Sequence, residues 1–159
     1  MNFLNSFDES MIVMNELFGK DYQFALATTI NDMPSIRFVD AFFDKGSFYI
    51  VTYDNTQKIK EINTNKNVSL CNEMYNFSGI AKNIGHPLDK KNHEIRKKLV
   101  KVFEPWYFIH NDESDEKMCY IEIKVTHGFC YKDGIGYKMD FINKKAKKIS
   151  FECDIVFVK

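Results

Sequence analysis

Apolar positions along this chain recur first at helical spacing and then at alternating spacing. Met11, Met14, Leu17 and Phe18 share one helical face and Gly19 supplies a stop, so the spacing predicts an amphipathic helix within residues 1–20. Ser6-Phe7-Asp8-Glu9 reads as its capping box, with Ser6 taking a backbone N–H and Glu9 reaching back. The methionine stripe reads as core packing in preference to a partner surface. From Tyr22 the pattern turns to strands. Residues 22–29 are apolar and β-branched, Asn31-Asp32 marks a turn, and residues 35–43 form a second strand. Asp44-Lys45-Gly46 makes the next turn and residues 47–52 a third strand. Their close spacing predicts an antiparallel meander. Residues 56–64 read as a short helix capped by Thr56, with Ile59 and Ile62 inward; residues 68–74 and 77–84 read as another hairpin.

A longer helix is predicted within residues 87–103. Pro87 suits its first turn, Ile95, Leu99, Val102 and Phe103 form its apolar stripe, and Pro105 ends it. Residues 111–117 are polar and acidic, hence a loop. Residues 118–125 alternate cleanly, with Cys119, Ile121, Ile123 and Val125 on one face, and residues 127–159 read as two or three further strands. Six or more antiparallel strands with three helices must curl to protect their edges, and a small barrel with appended helices is the simplest solution. At 159 residues the chain is a single domain.

Composition narrows the class. The 22 basic residues balance the 22 acidic ones, which argues against nucleic-acid binding through a net positive field. The first twenty residues carry Asp8, Glu9 and Glu16 and lack a basic segment followed by an apolar run, and no stretch approaches a membrane span. A soluble, cytoplasmic protein is expected. Cys71, Cys119, Cys130 and Cys153 form no CxxC pair and read as reduced, mostly buried thiols; the four histidines are scattered, so no metal site is expected.

The stretch Thr52-Tyr53-Asp54-Asn55-Thr56-Gln57-Lys58 carries the most chemistry. A strand ending in a hydroxyl leads into a helix that begins with a second hydroxyl and has Lys58 in its first turn. Free N–H groups at a helix start, hydroxyls and an ammonium suit an anion, and a phosphate monoester fits the set. A plain cap beside a solvated lysine is the alternative. Arg37 tips the balance, because it lies inside an otherwise apolar strand, where it needs a partner or a ligand. The tight turn between the second and third strands brings Thr52 toward Arg37, so Arg37, Thr52, Thr56 and Lys58 are expected to converge on one anion. Asp40 competes for Arg37, but three residues along a strand place the two on opposite faces.

At these residues the chain resembles the pyridoxamine 5'-phosphate oxidase-like FMN-binding split barrels, especially their small bacterial general-stress-protein branch. The resemblance rests on Phe24-Ala25-Leu26-Ala27-Thr28-Thr29, Met33-Pro34-Ser35-Ile36-Arg37-Phe38-Val39, Phe48-Tyr49-Ile50-Val51-Thr52 with Thr56 and Lys58, Asn67-Val68-Ser69-Leu70, and Gly79-Ile80-Ala81. It implies a six-stranded antiparallel split barrel, mainly β with α-helices, and FMN bound at a homodimer interface. Arg37 and Lys58 would bind the FMN phosphate with help from Thr56. Ser35, Ile36 and the backbone near Val51 and Thr52 would border the ribityl chain and ring. Gln57 stands where the oxidase commonly has an arginine, and residues 131–159 lack its substrate-binding Trp and Arg, so vitamin B6 oxidation is not expected. Trp106 either approaches the partner subunit's flavin or packs on its own helix end.

The resemblance implies an FMN-dependent oxidoreductase acting on a small molecule, with electrons from NAD(P)H docking on the flavin or from a partner reductase. No catalytic side chain is assigned, because flavin chemistry needs chiefly binding and orientation. A flavin-binding sensor without turnover is the second reading, and haem or F420 are cofactors of other proteins with this fold.

Overall fold

The protein is described over residues 5–153 in a computed structural model. Helix α1 spans Ser6–Phe18; strands β1, β2 and β3 span Tyr22–Ile30, Met33–Asp44 and Ser47–Tyr53. Helix α2 (Gln57–Thr64) leads to β4 (Asn67–Asn72) and β5 (Tyr75–Gly85). A 3-10 turn at Lys90–Asn92 precedes α3 (His93–Val102) and the short α4 (Tyr107–His110), and β6 (Met118–Lys132), β7 (Ile135–Asp140) and β8 (Lys145–Ser150) follow. Residues 1–4 of the expected first helix and 154–159 of the expected C-terminal strands lie outside the described residues.

The strands form one antiparallel sheet in the order β3-β2-β1-β4-β5-β6-β7-β8, and an added β3–β6 pairing closes its first six strands into a barrel. Tight turns set the meander: Asn31 and Asp32 both hold positive φ between Ile30 and Met33, the twist-matched hairpin geometry that these residues tolerate. β6 is longer than the alternation at 118–125 suggests. It passes a bulge, where Ser78 pairs with His127 but Gly79 with Val125, and its far half then pairs with β7. The bulge shifts the two-residue period, which is why the pattern breaks at Thr126.

Aromatic packing holds the barrel. Phe18 at the end of α1 is fully buried, with ring centroids 4.9 to 5.9 Å from Tyr22, Phe24, Phe48, Tyr75 and Phe77. Helix α1 thus packs at the Tyr22 end of β1, while α2 inserts Ile59 and Ile62 into the same core and places Glu61 against Thr28, toward the other end of that strand. A second cluster lies on the outer face of β3 and β6, where Leu99, Phe103 and Tyr107 cover Met118 and Tyr120. This explains the double-sided burial at the start of β6: Cys119, Ile121, Ile123 and Val125 fill the barrel while Met118 and Tyr120 face the helices.

Three local expectations change. Asn5 caps α1, its side-chain oxygen accepting from the Asp8 amide at 2.9 Å, because Ser6 is already the first helical residue. Helical structure begins at Lys90 and not at Pro87, because the Asp89 carboxylate accepts from the His86 amide at 3.0 Å and ties residues 86–89 into a turn. The four cysteines are free, but only Cys119 and Cys130 are buried; Cys71 is on the outer face of β4, beside Ala25 of β1. Among the described residues no helix is long and apolar enough to cross a membrane.

Candidate functional site

The barrel wall opens between β2 and β3. The two strands pair only at Phe42–Tyr49, Phe43–Phe48 and Asp44–Ser47, next to their turn. Beyond it β3 follows β6 along its full length, and residues 33–41 of β2 follow β1. Among the described residues each strand therefore presents one edge without a strand beside it, a row of backbone donors and acceptors at a seam. Helix α2 leaves the end of β3 beside this seam.

Arg37 enters the seam from the inward face of β2, with 24% of its side chain exposed. Its partner is Glu61 of α2, 4% exposed, at 2.5 Å. Arg37 Nη1 also donates to Thr28 Oγ1 at 2.6 Å, and that hydroxyl donates to the same carboxylate oxygen at 2.5 Å. Burial pushes the Glu61 carboxyl up, but hydrogen bonds from Thr28, Ser35, Arg37 and Gln57 outweigh it and bring the pKa down to about 2. Asp40 is correctly placed apart from Arg37, yet Glu61 was missed. In the sequence it reads as one more polar position on a lysine-rich helix; its signal is the i,i+4 spacing to Gln57, whose amide donates to it at 3.3 Å.

Lys58 lies half-buried in the first turn of α2 and makes no salt bridge among the described residues. Burial lowers its pKa, the Arg37 charge lowers it further, and Cys119 opposes both. Cys119, opposite Thr52 in the β3–β6 ladder, is held as a thiol, its pKa raised to about 11 chiefly by burial. Thr52 and Thr56 bring their hydroxyl oxygens to 3.5 Å. Thr56 occupies the N-cap position but its hydroxyl turns back to the Tyr53 carbonyl at 2.8 Å, so among the described residues no side chain caps α2. The first-turn amides of α2 are consequently left for another acceptor.

The remaining sequence-predicted residues divide by face. Ser35 shares the inward face with Arg37, whereas Ile36 points outward and is 72% exposed. The Val51 side chain packs in the outer cluster, leaving its backbone at the β3 edge. Gln57 is exposed and reaches Glu61. Trp106 lies in the outer cluster, 4.5 Å from the Phe103 ring, and its indole N–H donates to Asp21 at 2.7 Å.

No protein-family model and no curated protein matches this sequence. Solved structures do match its fold. General stress protein 26 from Bacillus anthracis is 18% identical over 73% of this chain and 88% of that one, with a TM-score of 0.57. A candidate pyridoxamine 5'-phosphate oxidase from Listeria innocua is 14% identical over 76% and 94%, with a TM-score of 0.56. An FAD-binding protein from Mesorhizobium loti is 12% identical over 74% and 90%, with a TM-score of 0.54. The chain has the split-barrel fold.

In this split barrel the donor set tests whether a flavin phosphate suits the seam. Arg37 uses three N–H···O contacts within the protein, to Leu26, Thr28 and Glu61, of the five N–H groups a guanidinium carries. Two remain, together with the Lys58 ammonium and the uncapped start of α2. That is a set able to hold a phosphate, with the Glu61 carboxylate paired to Arg37 as a group of opposite sense. The residues fit.

Proposed function

We propose that the protein is a flavoprotein that binds FMN in the seam of the split barrel and works as a homodimeric FMN-dependent oxidoreductase on a small molecule. One observation carries this reading: Lys58 stands half-buried with no salt bridge among the described residues, at the start of α2, where the N-cap makes no side-chain hydrogen bond. Glu61 offsets the Arg37 charge, and Lys58 is the cation left for an anionic ligand. Arg37, Lys58 and the α2 amides would hold the phosphate. Ser35 and the free edges of β2 and β3 would border the rest of the molecule. When bound, FMN supplies one- and two-electron transfer, and the protein binds and orients it. NAD(P)H docking at the open side of the seam, or a partner reductase, would supply the electrons.

The homodimer is supported by the outer face of β2. Ile36 and Phe38 are both 72% exposed, and small residues flank them, with Ala27 and Ala25 opposite on β1. Large exposed apolar side chains in a row mark a surface meant to be covered.

The test is direct. The purified protein should carry flavin absorbance, and heat-released ligand should have the mass of FMN. Lys58→Gln should weaken FMN by roughly ten- to a hundredfold, the contribution of one charged hydrogen bond. Lys58 is the better target than Arg37, since Arg37→Ala strands a buried Glu61 carboxylate at a cost of about 3–5 kcal/mol. A protein that stays colourless with added FMN, or a Lys58→Gln protein with unchanged FMN affinity, would overturn the assignment.

A further inference from the structure

The Arg37–Glu61–Thr28 triangle has a consequence for the ligand. Oε2 of Glu61 accepts from both Arg37 and Thr28, Thr28 accepts from Arg37, and Gln57 reaches the remaining carboxylate oxygen. All four groups belong to this chain, and Glu61 and Thr28 are 4 and 1% exposed. Glu61 is therefore a built-in anion already seated on the guanidinium. Counting charges at the seam, Arg37 (+1), Glu61 (−1) and Lys58 (+1) sum to +1, one short of a phosphate monoester dianion.

The geometry points to Glu61 as a specificity-determining residue that neutralises Arg37 and so loosens the grip on the phosphate of the bound flavin. This rests on the flavin reading above. With half its charge offset, the seam prefers FMN over riboflavin by about the contribution of Lys58 alone, roughly ten- to a hundredfold, and not by that of two free cations. Gln57 sharpens the point: its neutral amide meets Glu61 where a second cation would have taken over the carboxylate and released Arg37.

The experiment compares two ligands on two proteins. FMN and riboflavin, which differ only by the phosphate, are titrated at one salt concentration into the wild-type protein and into Glu61→Gln, an isosteric change that keeps an acceptor for Arg37. Removing one negative charge beside a dianion should tighten FMN about tenfold and leave riboflavin unchanged. The gain should shrink as salt rises. FMN affinity that is unchanged or weaker in Glu61→Gln overturns the proposal, as does a parallel change in both ligands, which a merely structural effect would give. If neither protein binds either flavin, the flavin reading falls and this proposal with it. Should Glu61→Gln lose its cooperative melt, the wild-type titration decides: FMN is expected to bind no more than about a hundredfold tighter than riboflavin, and a larger preference would overturn the proposal.

Discussion

Two residues of the seam make predictions about pH. Glu61 has its pKa lowered from 4.5 to about 2 in the folded protein. Its stabilisation is therefore complete above the unfolded value near 4.5 and is lost as pH falls toward 2. That drop is worth on the order of 3 kcal/mol. Acid unfolding followed by circular dichroism should thus be steep in the wild-type protein between about pH 5 and pH 2 and flatter in Glu61→Gln. Lys58 moves the other way. Its pKa lies below the ordinary lysine value, first through burial and then through Arg37. FMN affinity should accordingly decline on the alkaline side earlier than an ordinary lysine would allow, and Lys58→Arg should push that decline upward, as read by flavin fluorescence. Of the seam residues, the sequence made Arg37 and Lys58 legible because a charge in an apolar strand and a lysine at a helix start are anomalies visible one residue at a time. Glu61 was not legible, because a glutamate on a polar helix is no anomaly until a sheet buries it.

At the scale of elements, close contacts between β5 and β6 decide more than propensity does. A Cβ on Gly128 would lie 2.3 Å from Phe77 Cδ1, inside the ring that packs against Phe18. Gly128→Ala should lower stability by about 1–3 kcal/mol through overpacking. Phe18→Ala removes the ring on which five aromatic neighbours converge and should cost about 3–5 kcal/mol; thermal or urea unfolding measures both. β8, the edge of the sheet, shows a different device: Lys145, Lys147 and Lys148 are exposed along it, charges that discourage pairing with another strand. Lys148 is also tied to Glu9 of α1 at 2.6 Å, linking the first helix to the last strand. The short α4 escaped the sequence reading because four residues hold barely one turn, and its Tyr107 is kept in place by the hydroxyl of Tyr120 and by Glu113, which Arg96 holds at 2.6 Å.

For the molecule as a whole, the exposed stripe on β2 and the seam belong to the same strand. Arg37 points into the barrel while Ile36 and Phe38 on either side point out. Phe38→Asp places a charge in this exposed apolar pair. It should turn the proposed dimer into a monomer in light scattering or sedimentation, and FMN affinity should fall with it. A wild-type protein that is monomeric at micromolar concentration would remove the homodimer from the reading while leaving the seam intact.

Local pattern was sufficient for the meander, the helix at α2, the hairpin of β4 and β5, and the inward face of β6. Each depends on periodicities and turn residues that act within a dozen positions. The opening between β2 and β3 depended on something else. A tight turn at Lys45-Gly46 predicts a full hairpin, but β3 finds a better partner in β6, about seventy residues later in the chain, and peels away after three pairs. The pairing of Arg37 with Glu61 likewise joins residues 24 apart on a strand and a helix. Competition among distant partners for one edge or one charge has no local signature. The sequence alone determined which residues could meet an anion; the closing of the barrel decided that one of them already has.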